Sequence, residues 1–434
     1  MTTDGARAWW LVSLLCLSSL LSIIDRKILS LVVDPVRADL LLSDVQIGLL
    51  QGLAFGLVYA FAGVFLGTMA DRYNRRNLII FGVVVWSMAT AAAGIAQNFG
   101  QLFLARVIVG FGEAALAPAA VSLIADMFPP ERRGRPMGLY MTGQAIANGV
   151  AISLTGVVLA AAAAQKFSWL GIPDTLSPWR VTFVLCGASG IVLVLGLLTC
   201  REAPRSSEAI APSWLAQGRE TLSHLIDHRR FFAPLYLGFA ACFLAAYGGA
   251  SWTPTMLGRV FDFSPADLAK TLGPMVISFA VIGPLIGSAV IDPMVKRYGD
   301  AGRLLLVAAV TLLAVPSALA AFAPGGNSSA FLVASSSAIF PFVGLGVITA
   351  LQSAWPARMR GLGVALTGLF NTIIGAVFGP LLIAMLTERV FRDPDMVGIS
   401  IALVIVPALI FAAIMFVLAA RAVNPASNSD ALPT

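Results

Sequence analysis

Leu42–Arg76 reads LSDVQIGLLQGLAFGLVYAFAGVFLGTMADRYNRR. Its middle, Ile47–Met69, is apolar and long enough to cross a hydrocarbon layer about 30 Å thick as a helix. Before it stands a helix start signal, Ser43 with Gln46 three residues on, as in a capping box. After it come Asp71, Arg72, Arg75 and Arg76. A cap, a membrane-length apolar run and a basic end make one spanning unit. The rest of the chain repeats that unit.

Twelve such runs are predicted. The first six are Ala8–Val33, Ile47–Met69, Leu78–Ala96, Gln101–Ala125, Met137–Ala164 and Val181–Thr199. The second six are Phe232–Leu257, Leu272–Ile291, Leu304–Ala323, Ala330–Ser353, Gly361–Leu386 and Val397–Ala420. Barrel strands would alternate over about 10 residues, and these runs do not. Across 434 residues, 58% are hydrophobic and 12% charged, about half the charge of an ordinary soluble protein. The fold class read from this is an all-α membrane protein.

The halves echo each other. "LSDVQIG" at the second span returns as "FSPADLA" before the eighth, with Ser264 and Asp267 in the capping positions. "ADRYNRR" after the second span returns as "IDPMVKRYGDAGR" after the eighth, and "PPERRGRPMG" after the fourth as "WPARMRGLG" after the tenth. The offsets are 221 for Ser43 to Ser264, 221 for Asp71 to Asp292 and 227 for Gly134 to Gly361. The predicted organisation is an N-terminal six-helix bundle (1–200), a polar and partly helical linker (201–230) and a C-terminal six-helix bundle with a tail (231–434). Two such bundles with a site between them form the architecture of a rocking transporter.

Lys and Arg set the orientation. Loops on the linker's side, with both termini, hold 18 and the opposite loops 7. The linker and both termini are therefore expected to be cytoplasmic. The net charge of +6 is a topology signal and no nucleic acid partner is expected. Cys16, Cys186, Cys200 and Cys242 form no metal spacing or disulfide framework, and His224 and His228 stand without further ligands. No metal or cofactor is expected. An intramembrane enzyme would need a nucleophile with its base or a metal cluster within the spans. No His lies in any span, so catalytic residues are not expected.

Charges inside apolar spans mark function by default. In "LLSIIDRKILSLVV", Leu20–Val33, three stand together: Asp25, Arg26 and Lys27. Ser18, Ser22 and Asp25 lie on one stripe of that helix. In the fourth span Arg106, Gly110 and Glu113 share a face, with Arg106 and Glu113 about 10 Å apart. Asp25 lies about 25 Å up the first span and Glu113 about 18 Å down the fourth, which are compatible depths. Lys27 is expected to point elsewhere and snorkel outward. By these boundaries the second six spans hold no Lys, Arg, Asp or Glu. They offer Tyr236, Tyr247, Trp252, Ser335–Ser337 and Asn371. A cavity charged on one wall and apolar on the other suits an amphipathic anion.

The motifs resemble the major facilitator superfamily. "GTMADRYNRR", Gly67–Arg76, is similar to its loop 2–3 signature, and "RVIVGFGEA", Arg106–Ala114, to its fourth-helix signature. Within it, "DR" in the first span, "LSDVQIGLL", "GEAALAP", "ADMFPPERRGR" and "YGGASWTPTML" resemble bacterial members of the Spinster family. The organic-anion symporters of the superfamily share "DR" and a "GEA"-type fourth helix. The resemblance implies alternating access by a monomer and first and fourth helices lining a central cavity. It implies a lysolipid-like substrate and a bacterial inner-membrane location.

Site roles follow from residues and resemblance together. Glu113 and Asp25 are the candidates for proton coupling. Arg26, Glu113, Tyr59 and Asn371 are candidates for substrate binding. Gly67, Asp71, Arg72, Arg75, Arg76, Arg106, Asp126, Arg132 and Arg133 are candidates for a gate of helix-end charges. The function expected is a proton-coupled transporter of an amphipathic substrate in contact with membrane lipids, with a proton symporter for a small organic anion as the rival.

Overall fold

The structure, a computed structural model, describes residues 2–171, 173, 175–202, 214–356 and 359–423. The side chains at 2–4, 71, 130, 170, 214–219, 361, 364 and 365 fall outside that description. Among the described residues there are helices and no strands.

Six membrane-length helices precede the linker: α1 (Gly5–Leu31), α2 (Asp44–Ala70), α3 (Arg75–Ala93), α4 (Phe99–Met127), α5 (Gly134–Ala163) and α6 (Pro178–Leu198). After α7 (Arg229–Phe261) runs a stretch of 54 residues, Pro265–Ala318. It is broken at Gly299, whose φ of 65° departs from helical geometry. The break falls inside the polar "VKRYGD" segment and separates α8 (265–298) from α9 (300–318). Then come α10 (Gly326–Ala354), α11 (Leu366–Phe391) and α12 (Pro394–Arg421). Counted across that break, the membrane-length helices number twelve among the described residues. Most of the linker's described part is one helix, Trp214–Asp227.

The expected start signals form. Ser43 Oγ accepts from the Gln46 N–H, and Gln46 Oε1 accepts from the Ser43 N–H. Ser264 and Asp267 make the same reciprocal pair at the head of α8. Both boxes open a helix, the capping serine standing two residues after a left-handed residue, Leu41 and Asp262, so the internal echo holds in local geometry.

Each half has an apolar core of its own, a third core with Ile28 and Ile47 beside Trp252 and Ile383 is shared between them, and two small-residue seams bring their backbones together. At Gly52 of α2 an added Cβ would fall 2.6 Å from the Val377 carbonyl oxygen of α11. At Gly149 of α5 it would fall 2.6 Å from the Gly273 carbonyl oxygen of α8. Only glycine permits backbones this close, which is how membrane helices gain packing without a hydrophobic driving force. Ser153 of α5 adds a hydrogen bond to the Ala269 carbonyl, 3.0 Å. Both seams lie away from the linker, toward the far face; the linker side is the linker face.

Candidate functional site: a buried charge cluster between two sets of helix-end ion pairs

The centre of the site is built by α1, α2 and α4. Asn98 caps α4, its side-chain oxygen accepting from the Gln101 N–H at 3.0 Å. The helix then runs to Glu113 and breaks at Ala114–Ala115. Pro118, with no N–H to give the Ala114 carbonyl, accounts for that break. Glu113 therefore ends a helical segment in the middle of the membrane, facing α1.

Arg26 Nε donates to Glu113 Oε2 at 2.6 Å, and Ser22 Oγ donates to the same oxygen at 2.7 Å. Arg26 Nη2 closes the triangle on Ser22 Oγ at 3.3 Å. The Glu113 side chain is 0% exposed and that of Arg26 26% exposed, so the pair reaches solvent through the arginine alone. Beneath the guanidinium lie two stacked rings of α2. The Arg26 Cζ sits 4.7 Å from the Phe55 centroid and 4.6 Å from that of Tyr59. These contacts fix the plane of the guanidinium.

Asp25 is fully buried beside this pair, and neither of its carboxyl oxygens has a hydrogen bond of good geometry among the described residues. The hydroxyl of Thr90 on α3 faces it. Arg106, grouped with the gate on sequence grounds, lies instead in this buried cluster. Its Nη1 donates to the backbone carbonyl of Asp25 at 3.0 Å, and its guanidinium lies 5.5 Å from the Phe55 centroid. Lys27 also differs from expectation. Rather than snorkelling, it turns to the second half, where Nζ donates to the Ala250 carbonyl of α7 at 3.4 Å.

The second half contributes Tyr247, within electrostatic reach of Arg26. Tyr236 and Trp252 are packing residues: the Tyr236 hydroxyl donates to the Gly363 carbonyl at 2.7 Å, and Trp252 Nε1 to the Pro380 carbonyl at 2.9 Å. Ser335 and Ser336 turn their hydroxyls back onto their own helix. Asn371 is buried in a π-helical stretch of α11, its Oδ1 without a partner among the described residues.

At the linker face the hub is Arg75, 1% exposed. It pairs with Asp126, donates to Ser122 Oγ at 2.9 Å and reaches Glu202 Oε1 at 2.8 Å. Arg76 reinforces it, its N–H donating to Glu202 Oε2 at 2.9 Å and its Nη1 to the Cys200 carbonyl at 2.5 Å. The heads of α3, the end of α4 and the exit of α6 are thus stapled together. Glu202, the second acid of the staple, was not singled out by sequence. Arg72 and Arg132 are exposed, and Arg133 donates to the Phe128 carbonyl at 2.7 Å. Gly67 lies in α2, and a Cβ there would meet nothing within 4 Å. The Asp71 side chain lies outside the described residues. The second half repeats the hub more weakly: buried Arg303 pairs with Asp300 at 2.9 Å and reaches Ser353 Oγ at 3.5 Å.

The far face carries a network that sequence reasoning missed. Arg259 of α7 reaches Asp34 Oδ1 at 2.6 Å and Asp44 Oδ1 at 2.9 Å, joining the second half to the first. Arg37 supports Asp44 at 3.1 Å. Glu388 of α11 accepts from the Val45 N–H at 2.7 Å, and Gln51 Nε2 donates to the Ser251 carbonyl at 3.3 Å. The hydrogen bonds and ion pairs that cross between the halves cluster here.

A charge cluster in one half, aromatic and small-residue seams toward the other, and helix-end ion pairs at both faces are the parts of an alternating-access carrier. The family model described as Major Facilitator Superfamily matches residues 15–380. The chain belongs to this superfamily. It is therefore a transporter and not an enzyme, and a multi-pass membrane protein. An "MFS-type efflux pump" of Mycolicibacterium smegmatis (strain ATCC 700084 / mc(2)155) is 29% identical over 93% of this chain and 90% of its own length. A "Hexuronate transporter" of Bacillus subtilis (strain 168) is 26% identical over 71% of each chain. Among solved structures, a bacterial homologue of the human lysosomal transporter Spinster, inward-facing and unoccupied, superposes with a TM-score of 0.77 at 26% identity. That match covers 96% of this chain and 97% of the other. The Spinster resemblance of the motifs thus extends over the whole fold.

Proposed function

We propose that this transporter couples proton movement to an amphipathic anionic or zwitterionic, lysolipid-like substrate by alternating access. Residues 1–200 and 231–434 act as the two rocking bundles, tied by 201–230. The protein works as a monomer in a bacterial inner membrane, with the linker face cytoplasmic.

The observation that carries this reading is the Arg26–Glu113 pair, in which a fully buried acid is held by a partly accessible cation. A substrate anion that takes Arg26 leaves Glu113 with Ser22 alone. An uncompensated buried charge costs several kcal/mol. Proton uptake by Glu113 removes that cost, so the two loads bind together. Asp25, already without a good partner, serves as the assisting acid. Tyr59 holds the guanidinium plane, and Asn371 offers a free acceptor on the opposite wall. The apolar second half takes the acyl tail. With the far-face network made, this conformation opens to the cytoplasm.

Proteoliposome flux tests it. Glu113→Gln should flatten the pH dependence of transport while keeping some substrate binding. Arg26→Ala should abolish binding of anionic substrates, and Arg26→Lys should rescue it poorly, because lysine lacks the planar fork. Unchanged pH dependence and proton flux in Glu113→Gln would move the proton site to Asp25. The rival, a proton symporter for a small organic anion, is favoured by the likeness to a hexuronate transporter. Uptake of a sugar acid without any response to lysolipids would select it.

A further inference from the structure

Lys27 has no role in the reading above, yet it is the least explained charge in the protein. It lies four residues from the end of the α1 helix, which closes at Leu31. It forms no ion pair among the described residues. Its one hydrogen bond, to the Ala250 carbonyl, is 3.4 Å long, at the weak end of the range for such contacts. Of the other cations in the cluster, Arg26 pairs with Glu113, and Arg106 is held in place by the Asp25 carbonyl and the Phe55 ring. A lone cation at membrane depth is costly and needs a counter-charge or a water-filled wall. Lys27 is partly accessible and faces α7 across the boundary between the halves.

Charge arithmetic gives the missing partner. Arg26, Lys27 and Arg106 against Asp25 and Glu113 leave one positive charge when both acids are ionised. A single proton raises the excess to two. At that point Arg26 is free of Glu113, and Lys27, its neighbour in sequence, is free already. Neighbours on a helix diverge by about 100°, but both side chains reach the same turn of α7, Arg26 near Tyr247 and Lys27 at Ala250, so both can close on one group lodged between α1 and α7.

We propose that Lys27 selects the charge of the substrate's headgroup, acting with Arg26 to favour headgroups that carry more than one negative charge. This rests on the proton-coupled amphiphile reading above. A purely structural Lys27, pinning α1 to α7 through Ala250, would affect all ligands alike.

The test compares two lysolipids of equal acyl chain on the purified full-length protein in nanodiscs, read by ligand-induced change in melting temperature. Lysophosphatidic acid carries up to two negative charges and lysophosphatidylcholine none net. The wild type should bind the first more tightly. Lys27→Gln should weaken it about tenfold, equivalent to about 1.4 kcal/mol, and leave lysophosphatidylcholine within about twofold. Lys27→Arg should keep the preference, which separates charge from packing. Equal weakening of both lipids, or no change in either, would overturn the role of Lys27. If neither lipid shifts the melting of the wild type, the lysolipid reading fails first and the selector falls with it.

Discussion

Arg259→Ala should open the far face. The side chain is 6% exposed and reaches two acids of the other half, Asp44 at 3% exposure and Asp34 at 46%. A hydrogen bond to a charged group contributes about 1.5–3 kcal/mol net when sheltered. The half-exposed Asp34 contact adds about 0–1 kcal/mol, since solvent screens it. Arg37 stays on Asp44 at 3.1 Å and limits the loss. Weighing these, the far-closed state should lose about 2–3 kcal/mol relative to the far-open one, roughly a 30- to 150-fold shift in their ratio. Spin labels at Lys166→Cys, on an exposed far-face loop of the first half, and Asn327→Cys, in the exposed first turn of α10, read that ratio by electron–electron distance measurement. The four native cysteines are unpaired and can be replaced first. The distance distribution should gain a longer population in Arg259→Ala, and more of it in Arg259→Glu, which repels both acids. Distributions identical to the parent in both variants would refute the assignment of Arg259 as the far-face latch.

Two further outcomes are expected. Asp39, outside the spans, accepts from Trp179 Nε1 at 2.9 Å, Arg180 Nε at 3.0 Å and Ser177 Oγ at 3.2 Å. Slight burial works against its charge, but these donors outweigh it and hold the carboxyl below its ordinary range. Its stabilisation is therefore present above the unfolded value of about 3.9 and lost as pH falls through the lower folded value. Asp39→Asn should lower the melting temperature at pH 7, and the gap should close below about pH 4; a gap constant with pH would assign the effect to packing. For orientation, Ser264→Cys should react with an impermeant maleimide from outside intact cells, and Asn74→Cys only after permeabilisation. The reverse pattern would invert the membrane topology proposed above.

The spans, the paired capping boxes and the central charges were legible because each violates or satisfies a local rule. An ionisable residue in an apolar run has no local explanation, so Asp25, Arg26, Arg106 and Glu113 stood out one by one. Their grouping was legible only in part. Helical spacing placed Arg106 and Glu113 on one face, but not Arg106 against a backbone carbonyl of α1. The direction of Lys27 was not legible, because a flexible four-carbon stem can reach outward or across. The far-face latch left no periodic trace. Asp34, Asp44 and Arg259 sit in or beside loops where charges are ordinary, and their partnership spans 215 and 225 residues. Glu202 was missed for the same reason, as one acid in a polar linker. The break of α4 after Glu113 was written in Pro118, yet its consequence depends on which neighbour the freed turn faces.

The two sets of helix-end charges do different work, and the difference bears on the coupling. Arg75 joins Ser122, Asp126 and Glu202, all within or at the exit of the first bundle, and Arg303 holds Asp300 and Ser353 within the second. Among the described residues these linker-face bonds run within a bundle. Arg259, Glu388 and Gln51 do the reverse, crossing from bundle to bundle at the far face. A rocking carrier must break one inter-bundle set to make the other while its bundles stay intact. On the proposed reading, the far-face latch is the set that a loaded site has to release. The centre lies within reach of that task, since α1 carries the Arg26 clamp and ends at Leu31, three residues before Asp34. α7 likewise carries Ala250, the partner of Lys27, and Arg259. On the proposed reading, a headgroup drawn in between Arg26 and Lys27 would act on the same two helices that the latch holds together, so that filling the site would bear directly on freeing the far face.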